Sequence, residues 1–184
     1  MKEMKQDRKT RYTLKALNDS LIELMQKKPF LKITVTEICE QADINRSTFY
    51  FYYRDQYALL KQIEDETFTS IEEVFKKYEH KQNREAAMNM LRELLQYIVS
   101  NSNSIQVLLS ENGDIDFQKK LFRHFIQWES KFKKYSEKIT DKKRKEYHSV
   151  FVVNGATSVM QLWLKNGMDV PVEEFAELLH KMTS

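Results

Sequence analysis

The chain has 184 residues, a formal net charge of +3 and 31% charged residues, the make-up of a globular protein long enough to bury a core. Three glycines and two prolines argue against a turn-rich β architecture, and the single cysteine, Cys39, rules out an intrachain disulfide and fits a reducing compartment. No stretch approaches the roughly 18 uncharged apolar residues of a membrane helix and the charged residues 1–11 precede no apolar run of a signal peptide, so a cytoplasmic protein without a membrane partner is expected.

Leu14, Leu17, Leu21 and Leu24 recur at three and four residues, which predicts a first helix over 8–27. Pro29 follows its end. Thr34 stands three residues before Glu37, a capping box opening a short second helix over 35–42. Asn45 suits the cap of a third helix that runs to about Tyr53. A long fourth helix carries Leu60, Ile63, Thr67, Ile71, Val74 and Tyr78 on one stripe, and Met88, Leu91, Leu95 and Ile98 mark a fifth. A short sixth covers 105–109 before the turn Glu111-Asn112-Gly113-Asp114, and a seventh spans 117–135. The eighth, 141–166, stops at Asn166-Gly167. The last, 172–182, places Val172, Phe175, Leu179 and Met182 on one face. With no strand alternation and no internal repeat, the expected fold is all-α, about nine helices. A three-helix N-terminal domain over 1–54 is followed by a helical body over 55–184.

Charge is unevenly divided. Residues 1–54 hold 11 Lys/Arg against 7 Asp/Glu, and the rest hold 19 against 20. The basic excess therefore lies at the N-terminal end, which points to a polyanion. A second basic run over 119–145, with 11 basic and 3 acidic residues, reads as a solvated helix face and loop.

Residues 34–53 carry the functional pattern. Val35, Ile38 and Ala42 make one apolar helix face, a tight turn follows, and Ile44 and Phe49 anchor the next helix. Arg46, Ser47, Thr48, Phe51 and Tyr52 are left exposed. Such a helix suits the major groove: arginine for guanine edges, hydroxyls for bases or phosphates, aromatics for thymine methyls and the backbone. By spacing alone, a surface pair of short helices would look similar.

The order Ile33-Thr34-Val35-Thr36-Glu37-Ile38, Ala42-Asp43-Ile44, Ser47 to Tyr53 and Leu59-Leu60 closely resembles the N-terminal signature of the tetracycline-repressor (TetR) family of bacterial regulators, over about residues 8–62. The resemblance implies that Thr34 caps the second helix and meets a phosphate. It implies that Arg46, Ser47, Thr48 and Phe51 approach base edges, and that Tyr50 and Tyr52 bond to phosphates, with Lys9 adding a phosphate contact. Three positions depart from the pattern. Asp43 stands where the turn usually has glycine, though Asp tolerates positive φ better than most residues. Tyr53 replaces Phe. Gln56 replaces a phosphate-touching Lys, for which Arg54 is the candidate substitute. Cys39, where relatives have Ala, is expected to be a small buried hydrophobe rather than a redox sensor.

For the body, the resemblance implies an effector-binding and dimerisation domain. Val150-Phe151-Val152-Val153 is apolar in more than one direction and needs cover on two sides. Phe151, Leu162, Trp163, Phe175, Leu178 and Leu179 are the expected dimer residues, and Tyr97, Phe125, Trp128, Tyr147 and Met160 the expected effector pocket. Residues 107–163 also resemble the C-terminal domain of a subgroup that includes a dihydroxyacetone-kinase-operon activator. The expected function is a homodimeric, sequence-specific DNA-binding regulator on a near-palindromic operator, a repressor released by a small molecule. An activator of the same family, or a helical scaffold or co-regulator without an operator, are the alternatives.

An enzyme is not expected. The chain has no phosphate-cradling glycine loop and no nucleophile elbow. Its histidines, His80, His124, His148 and His180, are far apart. Glu177 and His180 make one Glu-x-x-His, where di-iron bundles need two. No metal or cofactor is expected.

Overall fold

A computed structural model of the chain describes residues 2–81, 83–131 and 141–183. Among these, every regular element is helical: α1 (Lys2–Lys27), a 3-10 turn (Phe30–Lys32), α2 (Val35–Ala42), α3 (Arg46–Tyr52), α4 (Gln56–Tyr78), α5 (Arg84–Ser100), α6 (Ser102–Leu108), α7 (Ile115–Lys131), α8 (Lys142–Lys165) and α9 (Val172–Thr183). None is long and apolar enough to cross a membrane. The all-α expectation therefore holds. The last four residues of the expected seventh helix, and 132–140 of the second basic run, lie outside the described residues.

Boundaries follow local chemistry. At α2, the Thr34 hydroxyl accepts from the Glu37 N–H at 3.3 Å while the Glu37 carboxylate accepts from the Thr34 N–H at 3.0 Å, the reciprocal capping box. Asn45 Oδ1 caps α3 by accepting from the Ser47 N–H at 2.9 Å. Asp55 Oδ1 does the same for α4, accepting from Ala58 N–H at 2.8 Å. Asp43 closes α2 at φ 53°, ψ 46°, the left-handed conformation for which glycine is the usual residue. At the end of α8, Met168 N–H bonds to Trp163 O at 2.9 Å and Gly167 N–H to Leu164 O at 3.1 Å, a Schellman stop with Gly167 at φ 77°. α1 begins at Lys2, six residues earlier than the leucine repeat predicted. Its first turns are charged helix-formers that carry no apolar period.

The chain divides into two compact units. Residues up to Thr67 together with Val107–Asp114 form the first, and Phe68–Gln106 with the residues from Ile115 onward form the second. A boundary was expected after residue 54; it falls thirteen residues later because Leu59, Leu60, Ile63 and Thr67 of α4 are buried with the first unit. In that unit α1 packs on α2 and α2 on α3. Leu17, Leu21, Met25, Ile38, Phe49 and Leu59 are each 0% exposed, and full burial of each such side chain is worth about 1.5–3 kcal/mol. The turn 110–114 belongs here too. Asn112 O accepts from Phe30 N–H at 3.2 Å, and Asn112 Nδ2 donates to Met25 O at 2.9 Å.

In the second unit α5 packs on α9, α7 on α8, and α8 on α9. Two stacked aromatic pairs mark its core: Trp163 on Phe175 with centroids 4.3 Å apart, and Phe75 on Trp128 at 5.2 Å. Both indole N–H groups are satisfied, Trp163 donating to Val170 O and Trp128 to His124 Nε2, each at 2.8 Å, as buried indoles require.

Candidate functional site

The α2–turn–α3 segment sets the geometry of the first site. Phe49 is the fully buried anchor of α3, flanked by Tyr53 at 5.7 Å in a tilted contact. Tyr53 is itself buried, its hydroxyl donating to Gln62 Oε1 at 2.8 Å. Burial, with Glu66 nearby, pushes its pKa up to about 12. With the anchor facing inward, the outer surface of α3 carries Arg46 and Ser47, both exposed, with Phe51 at 80% exposure and Tyr50 half exposed. The Arg46 guanidinium lies 5.9 Å from the Tyr50 ring centroid, and its interaction with Tyr50 raises its pKa further.

Thr48 and Tyr52, one turn apart on α3, are half-buried. They line a notch with Ser47 and Phe51 of α3 and Lys9, Thr10 and Thr13 of α1. Across it the Tyr52 hydroxyl donates to Thr10 Oγ1 at 3.3 Å. The notch is hydroxyl-rich with one ammonium at its edge, which suits a phosphate. Thr10 and Thr13 were not foreseen, although their spacing of three on one helix face was a readable signal. Thr34 is exposed at the start of α2. Arg54 is exposed and 3.3 Å from the Asp55 carboxylate, and Gln56 opens α4. Cys39 is buried, and burial pushes its thiol pKa up, which keeps it protonated.

The second unit contains a cavity of about 600 Å³, inside the ~300–1,000 Å³ range of ligand pockets. Phe75, Leu91, Leu94, Leu95, Ile98 and Val153 are among its apolar walls. Of the five residues expected there, Phe125, Trp128 and Met160 line it and two do not. Tyr97 faces a separate polar groove with Glu73, Lys77 and Glu93, and Tyr147 is 72% exposed on α8. The missed lining of α5 lies on the stripe that Leu91, Leu95 and Ile98 mark in the sequence, widened on one side by Ala87 and Leu94.

The expected dimer residues also separate into two groups. Phe151 at 75%, Leu162 at 57% and Leu178 at 39% are exposed. Trp163, Phe175 and Leu179 are at most 4% exposed, buried inside the unit's own core.

Comparison with known proteins fits this geometry. The pattern described as "Bacterial regulatory proteins, tetR family" matches residues 19–63, and that of a "Transcriptional regulator C-terminal region" matches residues 85–184. The chain is 31% identical over 143 residues to the HTH-type dhaKLM operon transcriptional activator DhaS of Lactococcus lactis, covering 77% of this chain and 68% of DhaS. The chain belongs to the TetR family. Its fold is shared with a TetR transcriptional regulator from Streptococcus agalactiae, at TM-score 0.60 and 24% identity over 99% of both chains. It is also shared with FadR from Bacillus subtilis in complex with stearoyl-CoA, at TM-score 0.67 and 10% identity over 91% of this chain and 96% of that one. As a member of the TetR family the protein is a transcriptional regulator, and the C-terminal match, over residues 85–184, takes in most of the residues that line the cavity.

Proposed function

We propose that this TetR-family regulator works in the cytoplasm as a homodimer on a near-palindromic operator, repressing until a small effector in the body cavity releases it. The observation that carries the DNA reading is α3 itself. Phe49 fixes it from behind while Arg46, Ser47 and Phe51 stand free to enter a major groove. Lys9, Thr48, Tyr50, Tyr52 and Thr34 are the phosphate-side and base-side partners around them. No cofactor and no catalytic group enters this reading.

Support for the dimer comes from α8 and α9, where Phe151, Leu162, Leu178 and Met182 are exposed apolar side chains of the kind that marks an interface. An intersubunit bundle of these two helices would cover them. Support for the effector comes from the cavity, a well-formed apolar concavity in the body unit.

Fluorescence anisotropy with a fragment from upstream of the gene tests the reading. A saturable complex of one dimer per site, weakened by salt, is expected, and no complex at any salt would leave only the scaffold alternative. A second sign of regulation has one specific support, since DhaS is an activator by name. Transcription from the operator-bearing promoter after deletion of the gene decides it: a rise means repressor, a fall means activator.

A further inference from the structure

We infer that the body cavity takes an amphipathic anion, with an apolar chain or ring in the chamber and a carboxylate or phosphate head at Lys81 and Arg84. This rests on the reading of the cavity as the effector site and names the chemistry of its ligand. Phe75, Leu91, Leu94, Leu95, Ile98 and Trp128 make the chamber apolar. A sugar or polyol inside it would leave hydroxyls against those walls without partners.

The polar wall groups divide by position. Thr157 and Thr183 have already given their protons, to Val153 O at 2.8 Å and Leu179 O at 2.9 Å. Asn83 accepts from Ala86 N–H at 2.7 Å as the cap of α5. Glu129 Oε1 lies 3.8 Å from His148 Nδ1, and His180 lines the wall from α9.

Lys81 and Arg84 bring an ammonium and a guanidinium to the same wall. Both are exposed, so the cavity reaches solvent beside them, and among the described residues neither is ion-paired. The Lys81 ammonium sits 5.4 Å from the Tyr78 ring centroid. Arg84 is the first residue of α5, whose N-terminus adds a partial positive charge that the Glu85 carboxylate of the same turn offsets only in part. Two exposed cations and a helix start at the rim of an apolar chamber form a positive pole, which an anionic head completes.

The test uses the full-length protein and the fluorescence of Trp128, which lines the chamber. Dodecanoate, dodecyl phosphate, dodecanol and dodecylamine are titrated below their aggregation limits. At least one anion is expected to bind ten-fold or more tighter than the alcohol, and the pair of anions distinguishes the two head chemistries. Arg84→Gln with Lys81→Gln is expected to remove most of that preference while leaving the affinity for dodecanol unchanged. Leu91→Trp, which fills the chamber, should abolish binding of all four. Equal binding of acid and alcohol, a preference for the amine, or an anion preference that survives the double substitution would overturn the assignment. Operator binding is read in parallel. An anion that binds the cavity without altering DNA affinity sinks the effector reading and leaves the ligand chemistry standing; the reverse result separates them the other way.

Discussion

Phe49 and Phe51 are two residues apart on a seven-residue helix, yet one is 0% exposed and the other 80%. Two residues are roughly 200° of helical rotation at 3.6 residues per turn, so identical side chains serve opposite purposes. Arg46 shares the outer surface, and a base contact there makes a defined prediction. Arg46→Ala should weaken operator binding by about 1–3 kcal/mol and relax preference at one base pair per half-site, measured by anisotropy across operator variants. A uniform loss over all variants would make Arg46 a phosphate contact instead. Glu37 offers a prediction of another kind. The Lys28 ammonium, then the Thr34 N–H and hydroxyl, hold its carboxyl down from 4.5 to about 2. A folded-state value below the unfolded one means that the stabilisation is complete above about pH 4.5 and drains away as the pH falls towards 2. Glu37→Gln keeps the bond back to the Thr34 N–H and loses the charge. Acid unfolding of the wild type should therefore be steeper than that of the variant in this window, the two converging at its lower end. Parallel curves would show that the carboxylate charge is idle. Both the capping box and the left-handed Asp43 were legible in the sequence, because each depends on neighbours within four residues.

At the scale of elements, α8 carries two stripes. Ser149, Val153, Thr157, Met160 and Leu164 are buried, and Tyr147, Phe151, Ser158 and Leu162 are exposed, displaced by two residues along the helix. Gly155 lies within the exposed stripe, and a Cβ added there meets nothing within 4 Å. A helix-interior glycine costs about 0.5–1 kcal/mol against alanine, and its own chain gives it no steric reason, so a close helix from a second copy is the expected reason. Gly155→Leu and Phe151→Glu should each convert dimer to monomer in sedimentation while helical circular dichroism is retained. A dimer that persists in both would move the interface elsewhere. Gly113 is the contrasting case. Its added Cβ would lie 2.4 Å from Leu108 O and 2.8 Å from Val107 O, backbone atoms that cannot swing aside. Gly113→Ala should therefore destabilise the protein by about 1–3 kcal/mol, read as a lowered Tm. The sequence announced that α8 needs cover on two sides. It did not say which apolar residue served which side, so Trp163 and Phe175 stood in one group with Phe151, although they stack on each other inside the unit.

For the whole molecule, the uneven charge makes a quantitative claim. Lys9 lies at the edge of the notch between α1 and α3, and a phosphate contact there releases about one counterion per subunit. Lys9→Gln should lower the salt slope of operator binding by about 1 per subunit without altering base preference; an unchanged slope would remove Lys9 from the contact set. The helices were readable because period and caps are local, whereas the cavity is made where α4, α5, α7, α8 and α9 fail to meet. No single stripe encodes that failure, which is why Tyr97 and Tyr147, aromatic and on suitable helices, lie outside the lining. Cys39 has a practical sequel. The molecule's lone thiol is buried and kept protonated, so it should ignore maleimide and methanethiosulfonate reagents under native conditions. Glu40→Cys, at an exposed position on α2, would then take a nitroxide selectively. Two such labels in a dimer are a ruler between the reading heads, and pulsed electron resonance with and without a bound anion would measure how far they part.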